Sequence, residues 1–458
     1  MKGSVNSPTR YWVLLVCICV LAAAPAKTQT FATIFNFTNS IDGVGPQGLT
    51  FSGSTLYGTT VSGGVSNAGT IFNVNTDGSG FAAIHHFAGY PADGASPKAA
   101  LVLSGSRLFG TASAGGSSGG GTVFAINTDG TGYTTLHDFI STEGTTPTGA
   151  LLVSGNRLYG TASMGGSSGS GTVFALNTDG TVFRILHDFS SGTNSDGAHP
   201  QGALVGALTL SSNTLYGTTT SGTVFAVNTD GSGFRTLHSV GGYITGSLVL
   251  WGVKLYDTTL SGNGTMPWGN GTIFALNIDG TGFHTVHSFD PQTSVLLGPP
   301  YTAMNQDGAN PNTLILSGKY LYGMTSGLGC CGHGSVFMIN LVSEGFSLLY
   351  MPTDSNPSGL LSAGLALGGN SLYAATSGGT IFSLSAPSLT MTMSGGNAIL
   401  SWPADPFYSF GLTLQSTTNL ASPAAWAFVS APPVNVNGQD IVTNLVSGQQ
   451  QFYRLSQP

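Results

Sequence analysis

Five acid–glycine pairs recur in this chain: Asp42-Gly43, Asp93-Gly94, Glu143-Gly144, Asp196-Gly197 and Asp307-Gly308. A proline follows each within a few residues, at Pro46, Pro97, Pro147, Pro200 and Pro311. Two kinds of chemistry suit that pattern. An acid before glycine shapes a turn, and proline then sets the approach to a strand. Alternatively, a ring of carboxylates brought to one face would favour cations or sugar hydroxyls. Calcium is the ion such a ring would take; otherwise the pattern implies no cofactor.

A second ladder consists of His85, His137, His187, His238 and His287, five of the nine histidines. Equivalent positions in two further repeats hold Phe35 and Tyr350, which fits packing and hydrogen bonding rather than metal ligation. Asn-Thr-Asp-Gly at Asn75, Asn127, Asn177 and Asn228 places one acid in each four-residue turn. A calcium loop needs six to eight oxygens, so these read as hairpin turns. Cys330 and Cys331 are adjacent, with His333 nearby. Export makes a vicinal disulfide one reading; a metal site is another, but standard ligand spacing is missing. Trp268 and Tyr301 lie in irregular segments. They either stack on a sugar beside the carboxylates or pack those segments down. No catalytic motif occurs. An enzymatic reading would need two carboxylates about 5–10 Å apart, one held protonated, and Asp257 and Asp307 are the off-pattern acids that could be asked to serve.

The elements that must position these residues come from an internal repeat. An aromatic after leucine recurs at Tyr57, Phe109, Tyr159, Tyr216, Tyr256, Tyr322 and Tyr373, and the Phe of Gly-Thr-Ile/Val-Phe, or a close variant, at Phe72, Phe124, Phe174, Phe225, Phe274, Phe337 and Phe382. The second series steps by 52, 50, 51, 49, 63 and 45 residues. A period near fifty marks a repeat architecture. In the clearest copy, Gly149–Phe189, four short strands are legible. They are A (Ala150–Val153), B (Arg157–Thr161), C (Gly171–Leu176) and D (Phe183–Phe189), with an Asp-Gly hairpin turn between C and D. Four strands and one aromatic signature per unit predict a β-propeller blade.

Phe31–Phe37 matches strand D but precedes any A, while the last unit has A, B and C and no D. The expected fold is therefore all-β: a seven-bladed propeller over residues 31–386, closed by its N-terminal outer strand. Closure removes an edge that would invite aggregation. Strands alternate direction, so D–A and B–C connections emerge on one face. That face would carry Asp42, Asp93, Glu143, Asp196 and Asp307 together with Trp268, Tyr301 and the Cys330–Cys331 loop. Residues 387–458 change style and read as a small β-sandwich with Trp402 and Trp426 in its core.

Composition narrows the partners. Only 6% of the 458 residues are charged, while 41% are hydrophobic and 69 are glycine. Residues 1–26 read as a secretory signal: Lys2 and Arg10, an apolar run Tyr11–Ala24, then Ala24-Pro25-Ala26. The run of 14 residues falls short of the ~20 that span a bilayer. Removing the signal takes away two cations and no acids, so the formal charge goes from −7 to −9. That argues against nucleic acid, whose phosphates require clustered Lys and Arg. A secreted or cell-surface monomer is expected, with no membrane span.

Leu56–Phe81, with Leu-Tyr-Gly-Thr-Thr, then Gly-Thr-Ile-Phe and Asn-Thr-Asp-Gly-Ser-Gly-Phe, closely resembles the bacterial GloVer tandem repeat of the "choice-of-anchor" exported proteins. The resemblance covers about Phe31–Ala386. It implies export and a surface or extracellular location, and it brings no catalytic residues. Gln451-Phe452-Tyr453-Arg454-Leu455 resembles the end of fibronectin-like or immunoglobulin-like domains of exported proteins. The reading that results is a non-enzymatic recognition protein for a carbohydrate or protein partner. A polysaccharide-degrading enzyme and a structural spacer of the envelope are the alternatives.

Overall fold

The computed structural model describes residues 30–190, 196, 207–244, 246–260, 270–289, 307–327, 334–351, 361–369, 371–385, 389–394, 397–403, 413–418, 426–429, 432–436, 439–445 and 452–456. Among them there is no helix. Gln29–Pro387 forms one compact unit, and residues 388–458 belong to a second.

In the larger unit the described strands form seven antiparallel sheets of four or five strands and one two-stranded ribbon. The third repeat is representative. Leu152–Ser154, Arg157–Ala162, Thr172–Asn177 and Arg184–Asp188 occupy positions A to D in that order. The first repeat adds a short strand, Val44–Pro46, against its B strand Thr55–Ser62. Thr30–Asn36 pairs with Thr380–Ser385, Phe31 opposite Leu384, and so stands as the outer strand of the sheet built by Leu361–Gly368 and Ser371–Thr376.

Side chains alternate across a strand, and here both faces of each sheet are covered. Leu56 enters a core with Tyr373, Ala375 and Ile381 of the last sheet, while its neighbour Tyr57 enters one with Leu101, Leu108 and Phe124 of the second. Equivalent cores join the second sheet to the third, the third to the fourth, the fourth to the fifth and the fifth to the sixth. This explains why B and C strands read as unbroken apolar and threonine runs rather than as alternating ones. The glycine after each aromatic is steric. A Cβ on Gly58 would sit 2.5 Å from the Phe72 ring, and one on Gly160 2.6 Å from Phe174.

Each sheet carries a β-bulge between strands C and D. Ile71 pairs with His85 but Phe72 with Ala83, so Ile84 is the extra residue. In a regular strand Ile84 and His85 would face opposite ways. The bulge lets both face the second sheet: Ile84 packs in the shared core, and His85 stacks on Tyr133 at 3.7 Å.

The smaller unit contains one sheet of four strands, led by Thr390–Ser394 and Asn397–Pro403, and one of three, led by Thr413–Thr417. Its core is Ala398, Leu400, Leu414 and Val442. Trp426 is half-buried, and the Trp402 side chain lies outside the description.

Candidate functional site

The two ladders of the sequence meet. His85 Nε2 lies 3.0 Å from Asp93 Oδ2, His137 Nε2 3.0 Å from Glu143 Oε2, and His287 Nε2 3.0 Å from Asp307 Oδ2. In the third repeat the gap widens to 3.9 Å between His187 and Asp196. There the Asp196 carboxylate accepts from the Ser190 amide and hydroxyl instead. Where the histidine position holds Phe35, the acid turns elsewhere: Asp42, half-buried, accepts from the Asn39 side chain at 2.8 Å. His238 has no acid in the connection that follows it, Val240–Gly246.

Each imidazole also stacks on an aromatic of the next repeat. His85 on Tyr133, His137 on Phe183, His187 on Phe234, His238 on Phe283 and His287 on Phe346 lie at 3.4–4.1 Å. Phe35 on Phe81 and Tyr350 on Phe31 complete the series. Burial is the main influence on His85, His137 and His187. It holds them below the usual imidazole range although the neighbouring carboxylates pull the other way. The Asp93 and Asp307 side chains are only 12% and 10% exposed. These acids are thus engaged between sheets, with backbone amides as further partners: Asp93 Oδ1 accepts from Ala88 and Gly89.

D–A connections and B–C loops do share a face, bonded to one another along their backbones. Gly64, Gly116 and Gly166 donate to the carbonyls of Ser40, Asp93 and Ser141. Strand-D carboxylates of the second and third repeats brace the loops: Asp138 accepts from the Ser117 amide and Asp188 from that of Ser167.

On the opposite face, the turn aspartates are closed on themselves. Asp129 Oδ1 accepts from the Thr131 amide at 2.9 Å and its hydroxyl at 2.7 Å, which holds the acid below the usual carboxylate range. Asp77, Asp179, Asp230 and Asp279 repeat the arrangement. Among the described residues no group of three or more His, Cys, Asp or Glu is placed to hold a metal ion. Trp268, Tyr301, Cys330, Cys331 and His333 lie outside the described residues.

Asp257 stands where five other repeats have glycine and the last has Ala374. It is wholly buried and accepts from the Thr218 hydroxyl of the preceding sheet and from the Thr258 amide. Burial pushes its carboxyl up to about 7, against the pull of those two bonds. Asp307, the second acid a hydrolytic reading would use, is bound to His287 instead.

Periodic reading also passed over a set of exposed apolar side chains. Ile41, Val65, Tyr90, Ile140, Met164 and Tyr243 stand on the D–A and B–C face, Val65 at 78%, Tyr90 at 69% and Tyr243 at 63% exposure. Only Tyr90 and Tyr243 share a position, each five residues after its strand-D histidine, so no regular repeat signal marks the set. Sequence inspection could have found them as large apolar residues inside Gly/Ser/Asn loops.

Residues 22–222 match the Gloeobacter/Verrucomicrobia repeat family. No curated protein matches. Among solved structures, selenomethionine-substituted virginiamycin B lyase from Staphylococcus aureus is similar at 13% identity and a TM-score of 0.52, covering 78% of this chain and 99% of that one. A catalytically inactive variant of that lyase with quinupristin is similar at 15% identity and a TM-score of 0.50, with the same coverages. BamB from Moraxella catarrhalis is similar at 16% identity and a TM-score of 0.43, covering 74% and 84%. The fold is a propeller-like array of repeats.

Proposed function

We propose that this chain is an exported, non-enzymatic, seven-bladed β-propeller that recognises a protein partner through its D–A/B–C face. The ring is supported by the inter-repeat stacks, which return from Tyr350 to Phe31, and by the core that Leu49 and Leu56 share with Tyr373 and Ile381. Export is supported by the basic, apolar and small-residue succession of residues 1–26.

The observation that carries recognition is the exposed apolar set on one face. Single exposed apolar residues need no explanation, but a set gathered on loops of one face marks an interaction surface. Ile41, Val65, Ile140 and Met164 are aliphatic or thioether side chains, which suit a protein better than a sugar. A hydrolytic reading would need one acid kept protonated beside a second across a cleft. Asp257 has the raised pKa, but it is sealed between two sheets with threonine partners. A carbohydrate partner is the second reading, favoured by the exposed rings of Tyr90 and Tyr243 and by Trp268 and Tyr301 of the irregular segments.

The test uses residues 27–458, the chain after removal of the signal, with and without a Val65→Ser/Tyr90→Ser/Tyr243→Ser triple substitution. Both are presented to arrays of envelope proteins and of glycans, with and without calcium. Saturable protein binding, lost in the triple variant at unchanged melting temperature, is expected. Binding to glycans alone would replace this reading with the second one. Silence on both arrays would leave a spacer role.

A further inference from the structure

In regular repeats, each D–A connection is clamped between two B–C loops. Its own repeat's loop bonds it on one side, as Gly116 to Asp93. The preceding repeat's loop bonds it on the other: Ser96 donates to Ala68 O, Thr146 to Gly120 O and Asn310 to Asn270 O, each at 2.8 Å. The three donors sit in left-handed backbone, φ 52°, 57° and 58°, which aims their amides at that loop. A proline then rests on the loop's last glycine. The Cδ atoms of Pro97, Pro147 and Pro311 lie 2.8, 2.7 and 2.5 Å from where a Cβ on Gly69, Gly121 or Gly271 would be.

At the junction of the last repeat with the first, one side of the clamp is missing. Gly45 holds the donor position, also left-handed at φ 67°, and its sheet-side neighbour is in place, Val44–Pro46 pairing with Thr60–Ser62. The loop that should accept from it is cut short. Three residues separate Thr376 from Thr380, where nine separate Thr60 from Thr70, Ala112 from Thr122 and Ala162 from Thr172. Among the described residues Gly45 makes no bond to the last repeat's loop like those of Ser96, Thr146 and Asn310, and no atom of Pro46 lies within 4 Å of a Cβ built on Gly379. The strand pairing itself is intact, since Phe37 donates to Gly379 O at 2.8 Å, as Phe87 does to Gly69 O at 3.0 Å. What remains is a cleft of about 210 Å³ between Asn39–Gly45 and Ser377–Gly379. It lies where the first three repeats keep a nine-residue glycine/serine-rich loop of this same chain, the fourth having only Thr219–Gly222.

We propose that this cleft is a docking slot for a glycine/serine-rich turn of a partner polypeptide, which supplies the loop carbonyl that the shortened last repeat does not bring to Gly45. The other repeats show what fits there: small residues in an open turn, bonded through backbone rather than side chains. The slot lies on the face assigned above to partner recognition and rests on that reading.

The test titrates a peptide with the sequence of residues 113–121, Ser-Ala-Gly-Gly-Ser-Ser-Gly-Gly-Gly, onto residues 27–458. Saturable binding is expected, with slowed hydrogen exchange at the Gly45 amide. Grafting the same nine residues in place of 377–379 should weaken peptide binding at least tenfold. Gly105→Asn, in an A–B turn of the other face, should leave it unchanged. The exchange measurement needs no variant, so a graft that fails to fold does not decide the outcome. No saturable binding, or equal binding to the graft, overturns the slot. So does self-association of the unmodified chain that the graft abolishes, because the occupant would then be a second copy. A null titration removes the slot alone; the array experiment with the triple variant judges the face independently.

Discussion

Replacing Asp257 by asparagine tests how the array is held together, because this acid is the one charged residue at a position that five repeats give to glycine and the last to Ala374. Its carboxyl is wholly buried, with the Thr218 hydroxyl and the Thr258 amide as its partners among the described residues, and burial raises it from 3.8 to about 7. Each pH unit between those values is worth about 1.4 kcal/mol. The native state therefore binds a proton that the unfolded chain has released between roughly pH 4 and 7. Stability must fall as pH rises through that window and then level off. The full penalty is about 4 kcal/mol, of which about 3 kcal/mol develops between pH 5 and 8. His85, His137 and His187 titrate nearby with the opposite sign. Burial holds them below 6.5, so their contribution is present above that value and lost as pH falls. They are common to both proteins and cancel in the difference. Urea denaturation of wild type and Asp257→Asn at pH 5 and pH 8 should then show the variant gaining about 3 kcal/mol relative to wild type at the higher pH. Asparagine keeps the shape: its Oδ1 accepts from the Thr258 amide and its Nδ2 donates to the Thr218 hydroxyl oxygen, so no cavity confuses the comparison. If the two proteins show the same pH dependence to within about 0.5 kcal/mol, the buried, uncompensated carboxylate inferred here does not exist.

Two further outcomes follow from the rim. His85→Ala removes both the stack on Tyr133 and the bond to Asp93 and should cost about 3 kcal/mol by denaturant titration. His85→Phe, which copies the natural Phe35, should cost roughly half that, because the ring remains and Asp93 keeps its two backbone donors. Deleting residues 30–36 should expose the edge of Thr380–Ser385 and convert a monodisperse protein into aggregates on size-exclusion chromatography. An unchanged elution volume would refute the closing role of that strand.

Much of the fold was legible because a repeat states its structure several times over. The Leu-aromatic and Gly-Thr-Ile/Val-Phe landmarks fall on strands B and C, and the displaced Phe31–Phe37 segment pairs beside Thr380–Ser385. The site was less legible. Acids and histidines were visible as two separate ladders, 6 to 20 residues apart in each bonded pair. Nothing in that spacing says that a bulge turns the imidazole toward its acid and the next repeat's ring.

Local chemistry alone determined the strands, the Asp-Gly turns, the repeat period and the sharing of one face by D–A and B–C connections. These depend on residue size, backbone preference and alternation, which neighbours in sequence settle among themselves. Tertiary structure decided which polar groups are free. Asp93 and Asp307 became partners of histidine, Asp257 was sealed between sheets, and Gly45 was left facing a slot where its neighbours face a loop. Those outcomes depend on whether a segment many residues away is present, short or long, and a single repeat carries no record of that.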